Sequence, residues 1–301
     1  MASDHISPDD LWPEQEFLTS IVRATVLAVE SSIPTSHHWA NPRRSSNLAS
    51  ETHEVLHSLR RPTGDGWGKE ELKSSYSRMY LTILNALEAV RGIGILLQDE
   101  QPPVPAVAAA ARSSIEISGL TQWLAEHNVG ARQRIARAFS WRLKGAGFLR
   151  ESVVQNHGTD VDPGLYGETK AAVILQLEAL GLSVTQGGWC DGAVMPSYTA
   201  RAKNFLIGEP GYYTMSSGAV HGEQYAMLQW IDTATATSGR RQLTVAVGPA
   251  NLTPHIVYGC MGPLFGVVYL RELYGLPTEK LGNLVHTILD AGDELRQLYN
   301  P

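Results

Sequence analysis

The sequence predicts an all-α fold, a multi-helix bundle built on long central helices, and three features carry that expectation. Apolar residues recur at helical spacing over long stretches, most clearly over 70–98, where Leu72, Tyr76, Met79, Ile83, Leu87, Val90 and Leu96 mark one face. Turn-forming residues separate the stretches: Gly64-Asp65-Gly66, Gln101-Pro102-Pro103, Gly130 and Gly181. Strand-like alternation is confined to 238–251, where Leu243, Val245 and Val247 suggest one short extended segment near 239–249.

The elements follow in order. Pro13 with Glu14 and Glu16 is a helix start, and Phe17, Ile21, Ala24 and Ala28 carry the period to about residue 30. Residues 31–46, with Pro34, Asn41 and Pro42, read as a loop; 47–60 read as a short helix holding Leu48, Val55, Leu56 and Leu59. After 70–98 come a second long helix over 104–126, rich in alanine and so suited to close packing, and a third over 132–155 with Ile135, Phe139, Leu143 and Val153 inward. A Gly- and Asp-rich connection over 156–167 leads to a helix over 168–180, and Gly187, Gly188, Trp189, Gly192 and Pro196 make 183–197 a structured loop. Residues 197–207, 212–222 and 224–234 read as helices, Thr253-Pro254 starts another that reaches 274, and 278–299 is the last. Residues 1–68 are thus N-terminal helices and loops, and 69–301 the main bundle, in one continuous domain.

Composition narrows the function classes. The 301 residues are 43% hydrophobic and 18% charged, ordinary for a globular chain able to bury a core. A net charge of -6 argues against a broad nucleic-acid footprint. Cys190 and Cys260 lie far apart without metal-type spacing, which fits a reduced, cytoplasmic setting, and the acidic N-terminus does not resemble a signal peptide. No uninterrupted apolar run reaches the roughly 18 residues of a membrane span; the nearest, 259–270, ends at Arg271 and reads as a buried helix. No membrane partner is expected, and a helical intracellular protein of this kind is often a homodimer.

The chemistry-bearing residues fall on three helices. On 212–222, Tyr213, Ser217 and His221 recur every four residues, so a phenol, a hydroxyl and an imidazole share a face. Gly222 reads as the helix stop, which would put His221 over the last carbonyls, where the macrodipole favours its protonated form. Arg112 and Glu116 share a face of the Ala-rich helix; they form either an intrahelical ion pair or a pair carried into a polar site. Arg134, Arg137 and Trp141 lie on one side of the next helix, a set suited to holding a carboxylate or phosphate if it is not a solvated basic face.

The order Arg112-x-x-x-Glu116, Arg134-x-x-Arg137, Tyr213-x-x-x-Ser217-x-x-x-His221-Gly222 resembles a family of uncharacterised, mainly actinobacterial helical proteins over roughly residues 70 to 295. That family is loosely similar to the HEPN group, helical bundles that are often ribonucleases bearing Arg-x(4-6)-His. This chain departs from the pattern: Thr214 follows Tyr213 where arginine is usual, and no arginine lies five to seven residues before His221. Arg150 and His157 do have that spacing.

His53-Glu54-Val55-Leu56-His57 is a literal HExxH, which on a helix puts two imidazoles on one face with a glutamate as base of a zinc hydrolase. Arg60 replaces the glycine of the longer metzincin form, and the third ligand is unassigned among Glu70, Glu71, Glu88, His37 and His38, so incidental surface histidines are the plainer reading. There is no P-loop, GxGxxG, GxSxG or Asp-Asp-x-x-Asp stretch. The reading reached is a small-molecule enzyme with an anionic substrate and no cofactor. Arg112, Arg134, Arg137 and Trp141 would hold the anion, and Glu116 and His221 would exchange protons, with Tyr213 and Ser217 orienting His221. A HEPN-like RNA-processing protein, a zinc hydrolase and a non-catalytic interaction protein stay open beside it.

Overall fold

The computed structural model describes residues 13–206, 210–221, 223, 231–235, 241–245 and 249–299. In chain order the elements are α1 (Pro13–Ser32), α2 (Ser36–Ala40), α3 (Asn47–His57), α4 (Glu70–Leu96), α5 (Val104–Leu124), α6 (Ala131–His157), a 3₁₀ turn (Pro163–Leu165), α7 (Lys170–Ala179), α8 (Tyr198–Phe205), α9 (Pro210–Val220), β1 (Ile231–Thr235), β2 (Arg241–Val245), α10 (Pro249–Leu273) and α11 (Glu279–Tyr299). The fold is all-α, with one antiparallel hairpin that pairs Ile231 with Val245 and Thr235 with Arg241.

At the centre is α5, which packs most extensively on α10 and α4 and also touches α8, α9 and α6. Its Ala108, Ala111, Ser114 and Ser118 are all buried, and small side chains let a neighbouring backbone come close. The neighbour supplies glycines: a Cβ at Gly262 of α10 would lie 2.7 Å from the Oγ atoms of both Ser114 and Ser118, and one at Gly259 would lie 3.2 Å from the Cα of Ala111. Pro263, inside α10, has no N–H to give to the carbonyl of Gly259 four residues before it. Ser114 Oγ donates to that carbonyl at 2.7 Å, so the side chain across the interface replaces the missing helical bond.

The ends of α5 and α6 are closed by buried charges. Arg134, fully buried, donates through Nε to both carboxylate oxygens of Glu51 at 2.8 Å and through its Nη atoms to the carbonyls of Leu124 and Glu126. Tyr76 donates to the same carboxylate at 3.1 Å. Arg137 donates to the Trp123 carbonyl and pairs with Glu126. Two guanidiniums thus satisfy the exposed carbonyls at the C-terminus of α5, where the macrodipole also favours positive charge. Glu54 accepts from the first N–H of α6, that of Ala131, at 2.9 Å. Leu18, Val29, Leu48 and Val55 from the N-terminal helices belong to the same buried cluster as Ile83, Ile115 and Leu264.

Several expectations need correction. Ser36–Ala40 is a short helix inside the expected loop, and α10 begins at Pro249 rather than at Thr253. Residues 231–234, expected to close a helix, lie in β1; Ile231, Thr233 and Thr235 are β-branched at alternate positions, a strand signal that the spacing of Leu228 and Ile231 had masked. The extended segment expected near 239–249 is β2 over Arg241–Val245. The helix expected over 224–230 and the stop at Gly222 lie outside the described residues. By mean hydropathy rather than uninterrupted run, three helical stretches among the described residues are long and apolar enough to cross a membrane: Glu14–Ala40, which takes in α1 and α2, Glu70–Leu96 and Asn251–Leu273. In the last, 72% of the apolar window is already buried against protein, as expected for the partner of α5.

Candidate active site

The core face of α5, through Ala108, Ala111 and Ile115, fixes the helix's rotation and so leaves Arg112 and Glu116 on the side facing α9. In turn α9 is seated by Tyr212, which is buried and hydrogen-bonded to His255 of α10 at 2.7 Å, and by the fully buried Ser216. Tyr213 then points at α5. Its hydroxyl donates to Glu116 Oε1 at 2.8 Å, and Arg112 Nε donates to the same oxygen at 2.7 Å. The guanidinium carbon of Arg112 lies 5.6 Å from the centre of the Tyr213 ring, within cation–π range. Arg112 Nη1 reaches His221 Nε2 at 3.2 Å. Because arginine can only donate, Nε2 of His221 is the acceptor in that contact.

Four of the sequence candidates therefore meet: Arg112, Glu116, Tyr213 and His221. The Arg112 and Glu116 side chains are only 17% and 19% exposed, so the pair is sheltered more than an ordinary surface i, i+4 bridge. Burial tends to lower the Arg112 pKa, but the hydrogen bond and charge of Glu116 override it and hold the guanidinium above its ordinary value. Burial and the hydrogen bond to Glu116 raise the Tyr213 phenol, which keeps it protonated and donating.

Glu116 also lines a cavity of about 330 Å³. Trp141 forms part of its wall, together with Asn85, Lys144, Phe148, Tyr198 and Arg201. Arg201 is 3% exposed, and its Nε is buried without a hydrogen-bond partner. Burial depresses its pKa, with Tyr198 and Glu116 pulling the other way. The guanidinium carbon sits 4.5 Å from the Tyr198 ring centre. Helix α8 is pressed so close to α5 that a Cβ on Gly119 would come within 3.1 Å of the Arg201 backbone. Sequence reasoning missed Arg201 because a single arginine on an eight-residue helix has no periodic partner; the available signal was Ser197, which caps α8 by accepting from Ala200 and sets Tyr198 and Arg201 three apart on one face.

The remaining candidates lie elsewhere. Arg134 and Arg137 are committed to Glu51, Glu126 and the end of α5, so neither meets Arg112, Glu116 or His221 among the described hydrogen bonds and ion pairs. Ser217 is half-buried and contributes its carbonyl, which accepts from the His221 N–H at 3.1 Å, whereas the imidazole is met by Arg112. His53 and His57 are neighbours, ring centres 4.6 Å apart, but Glu54 between them is turned to the start of α6. Among the described residues no group of three or more His, Cys, Asp or Glu could hold a metal ion. Arg150 and His157 are exposed near the end of α6, where His157 stacks on Tyr166.

A larger cavity of about 670 Å³ lies beside Trp39, Tyr76, Tyr80 and Tyr274. Its one carboxylate, Glu30, is already tied to Arg91 and its one cation is Lys73, whereas the smaller cavity brings together Glu116, Lys144 and the buried Arg201 and is the better candidate. No family model, curated protein or solved structure matches this chain.

Proposed function

We propose that the chain is a small-molecule enzyme that takes an anionic substrate into the cavity between α4, α5, α6 and α8. Arg201 and Lys144 bind the anion, Trp141, Phe148 and Tyr198 cover its apolar body, and Glu116 exchanges a proton with it. Both Tyr213 and Arg112 bond to Oε1 of Glu116, which leaves Oε2 as the oxygen available to a ligand. Tyr213 fixes the carboxylate's orientation, and Arg112 links it to His221, the second acid-base group of the cluster. The observation that carries this reading is that one glutamate is shared by a four-residue polar cluster and by a cavity whose wall holds a buried guanidinium with an unpartnered Nε. A cation so placed would gain more from an incoming carboxylate than a surface arginine would, since little water competes for it.

The test has two arms. In calorimetry with small aliphatic and aromatic monocarboxylates, the best binder of the wild type should lose about tenfold or more in affinity in Arg201→Gln. With cell extract as the substrate source and mass spectrometry as the readout, a compound consumed by the wild type should persist with Glu116→Gln. Carboxylate binding that is absent, or indifferent to Arg201→Gln, would refute the reading.

A further inference from the structure

The cavity shares its Trp141 wall with a second one. That indole and Gly145, one turn further along α6, also form the wall of a second cavity of about 250 Å³, lined by Arg78 of α4 and by Arg142, Leu149 and Glu168. Arg78 is half-buried where Arg201 is buried, but it shares one feature with it. Its Nε is buried without a hydrogen-bond partner, and it has no ion pair among the described residues. Its guanidinium lies 6.0 Å from the centre of the Trp141 ring. Burial depresses its pKa, and the nearby Arg142 charge adds to the effect. Glu168, the one carboxylate of the second cavity, is engaged by Arg142, whose side chain is 7% exposed. Two guanidiniums therefore line the second cavity beside one carboxylate, while Glu168 and Glu71 act on Arg78 against burial and Arg142. Gly145 is in the interior of a 27-residue helix, where glycine is unfavourable, yet a Cβ there would meet nothing within 4 Å. No neighbour requires the glycine, and a larger residue at that position would stand in the space above the shared wall.

We infer that the two cavities are one continuous site and that its ligand is an elongated dianion: one anionic end on Arg201 and Lys144, the other on Arg78, with an apolar middle passing Trp141 over Gly145. This rests on the proposed function and narrows its substrate class from an anion to a molecule with two separated anionic groups. Arginine suits both ends because a desolvated guanidinium can hold a carboxylate or phosphate through paired N–H donors.

The experiment is calorimetry on the full chain with α,ω-dicarboxylates from succinate to sebacate, each beside the monocarboxylate of equal chain length. One dicarboxylate should bind about tenfold tighter than its monocarboxylate. Arg78→Gln should remove that advantage while leaving monocarboxylate binding unchanged. Arg78→Lys, which keeps the charge without the fork, should retain part of it, and thermal melts establish that each variant is folded. Gly145→Leu should block the dicarboxylate, and Gly145→Ala should not. If no dicarboxylate exceeds its monocarboxylate, or the advantage survives Arg78→Gln, the inference is wrong, and monocarboxylate binding that depends on Arg201 would still leave the proposed function standing. If neither class binds, both fall.

Discussion

The contrast between Arg112 and Arg134 shows what a single residue decides here. Each is a helix arginine paired with a glutamate, but Arg134 has its donors taken up by Glu51 and two carbonyls, whereas Arg112 reaches past Glu116 to His221. The first is architecture and the second can respond to a ligand. A different residue makes stability depend on acid. His255, buried beside Tyr212 and Tyr258, is held neutral by burial, with its pKa brought down from 6.5 to about 4. Between those values the unfolded chain binds the extra proton, so this group's contribution is complete above pH 6.5 and is lost as pH falls towards 4. A shift of that size corresponds to roughly 3 kcal/mol. Glu51, raised by burial against the pull of Arg134, acts in the opposite sense, its contribution being lost as pH rises through its raised value. The decisive comparison is therefore between melting curves of the wild type and His255→Asn from pH 7 to pH 4. The wild type should lose the more stability on acidification, and parallel curves would show that His255 is not the titrating group.

At the scale of elements, the α5–α10 contact organises everything around it. Gly259, Gly262 and Gly266 bring α10 against α5, and the Ser114 hydroxyl takes over the bond that Pro263 cannot make. Ser114→Ala would leave the Gly259 carbonyl buried without that donor, and should cost about 1–3 kcal/mol in denaturant unfolding. A change inside measurement error would mean that the carbonyl finds another partner. The pattern was half legible in sequence. Alanines on 104–126 announced close packing, and 259–270 read correctly as a buried helix. What could not be read was which two helices meet, because periodicity defines a face and not the partner that covers it. The hairpin was half legible for a related reason: β2 showed its alternation, while β1 needed the pairing to separate it from a helix end.

Across the whole molecule, the N-terminal helices are part of the core rather than an appendage. Leu18, Val29, Leu48 and Val55 are at most 1% exposed, and Glu51 is the carboxylate that neutralises Arg134. A chain lacking residues 1–57 would open that apolar face to water and leave a buried guanidinium unpaired, so it should not show a cooperative thermal transition. A sharp melt near that of the intact protein would contradict this. The candidate site has the same distributed character, since it draws on α4, α5, α6, α8 and α9. By itself the sequence determined the helical class, the order of nearly all the helices and the pairing of Arg112 with Glu116, because these follow from spacing along a few turns of chain. Only the tertiary structure decided that Tyr213 and His221 join that pair, that Arg134 and Arg137 meet Glu51, Glu126 and the end of α5, and that Arg201 and Arg78 are left with partnerless buried Nε atoms. Those outcomes depend on burial and on contacts between residues far apart in the chain, which packing sets and local pattern does not encode.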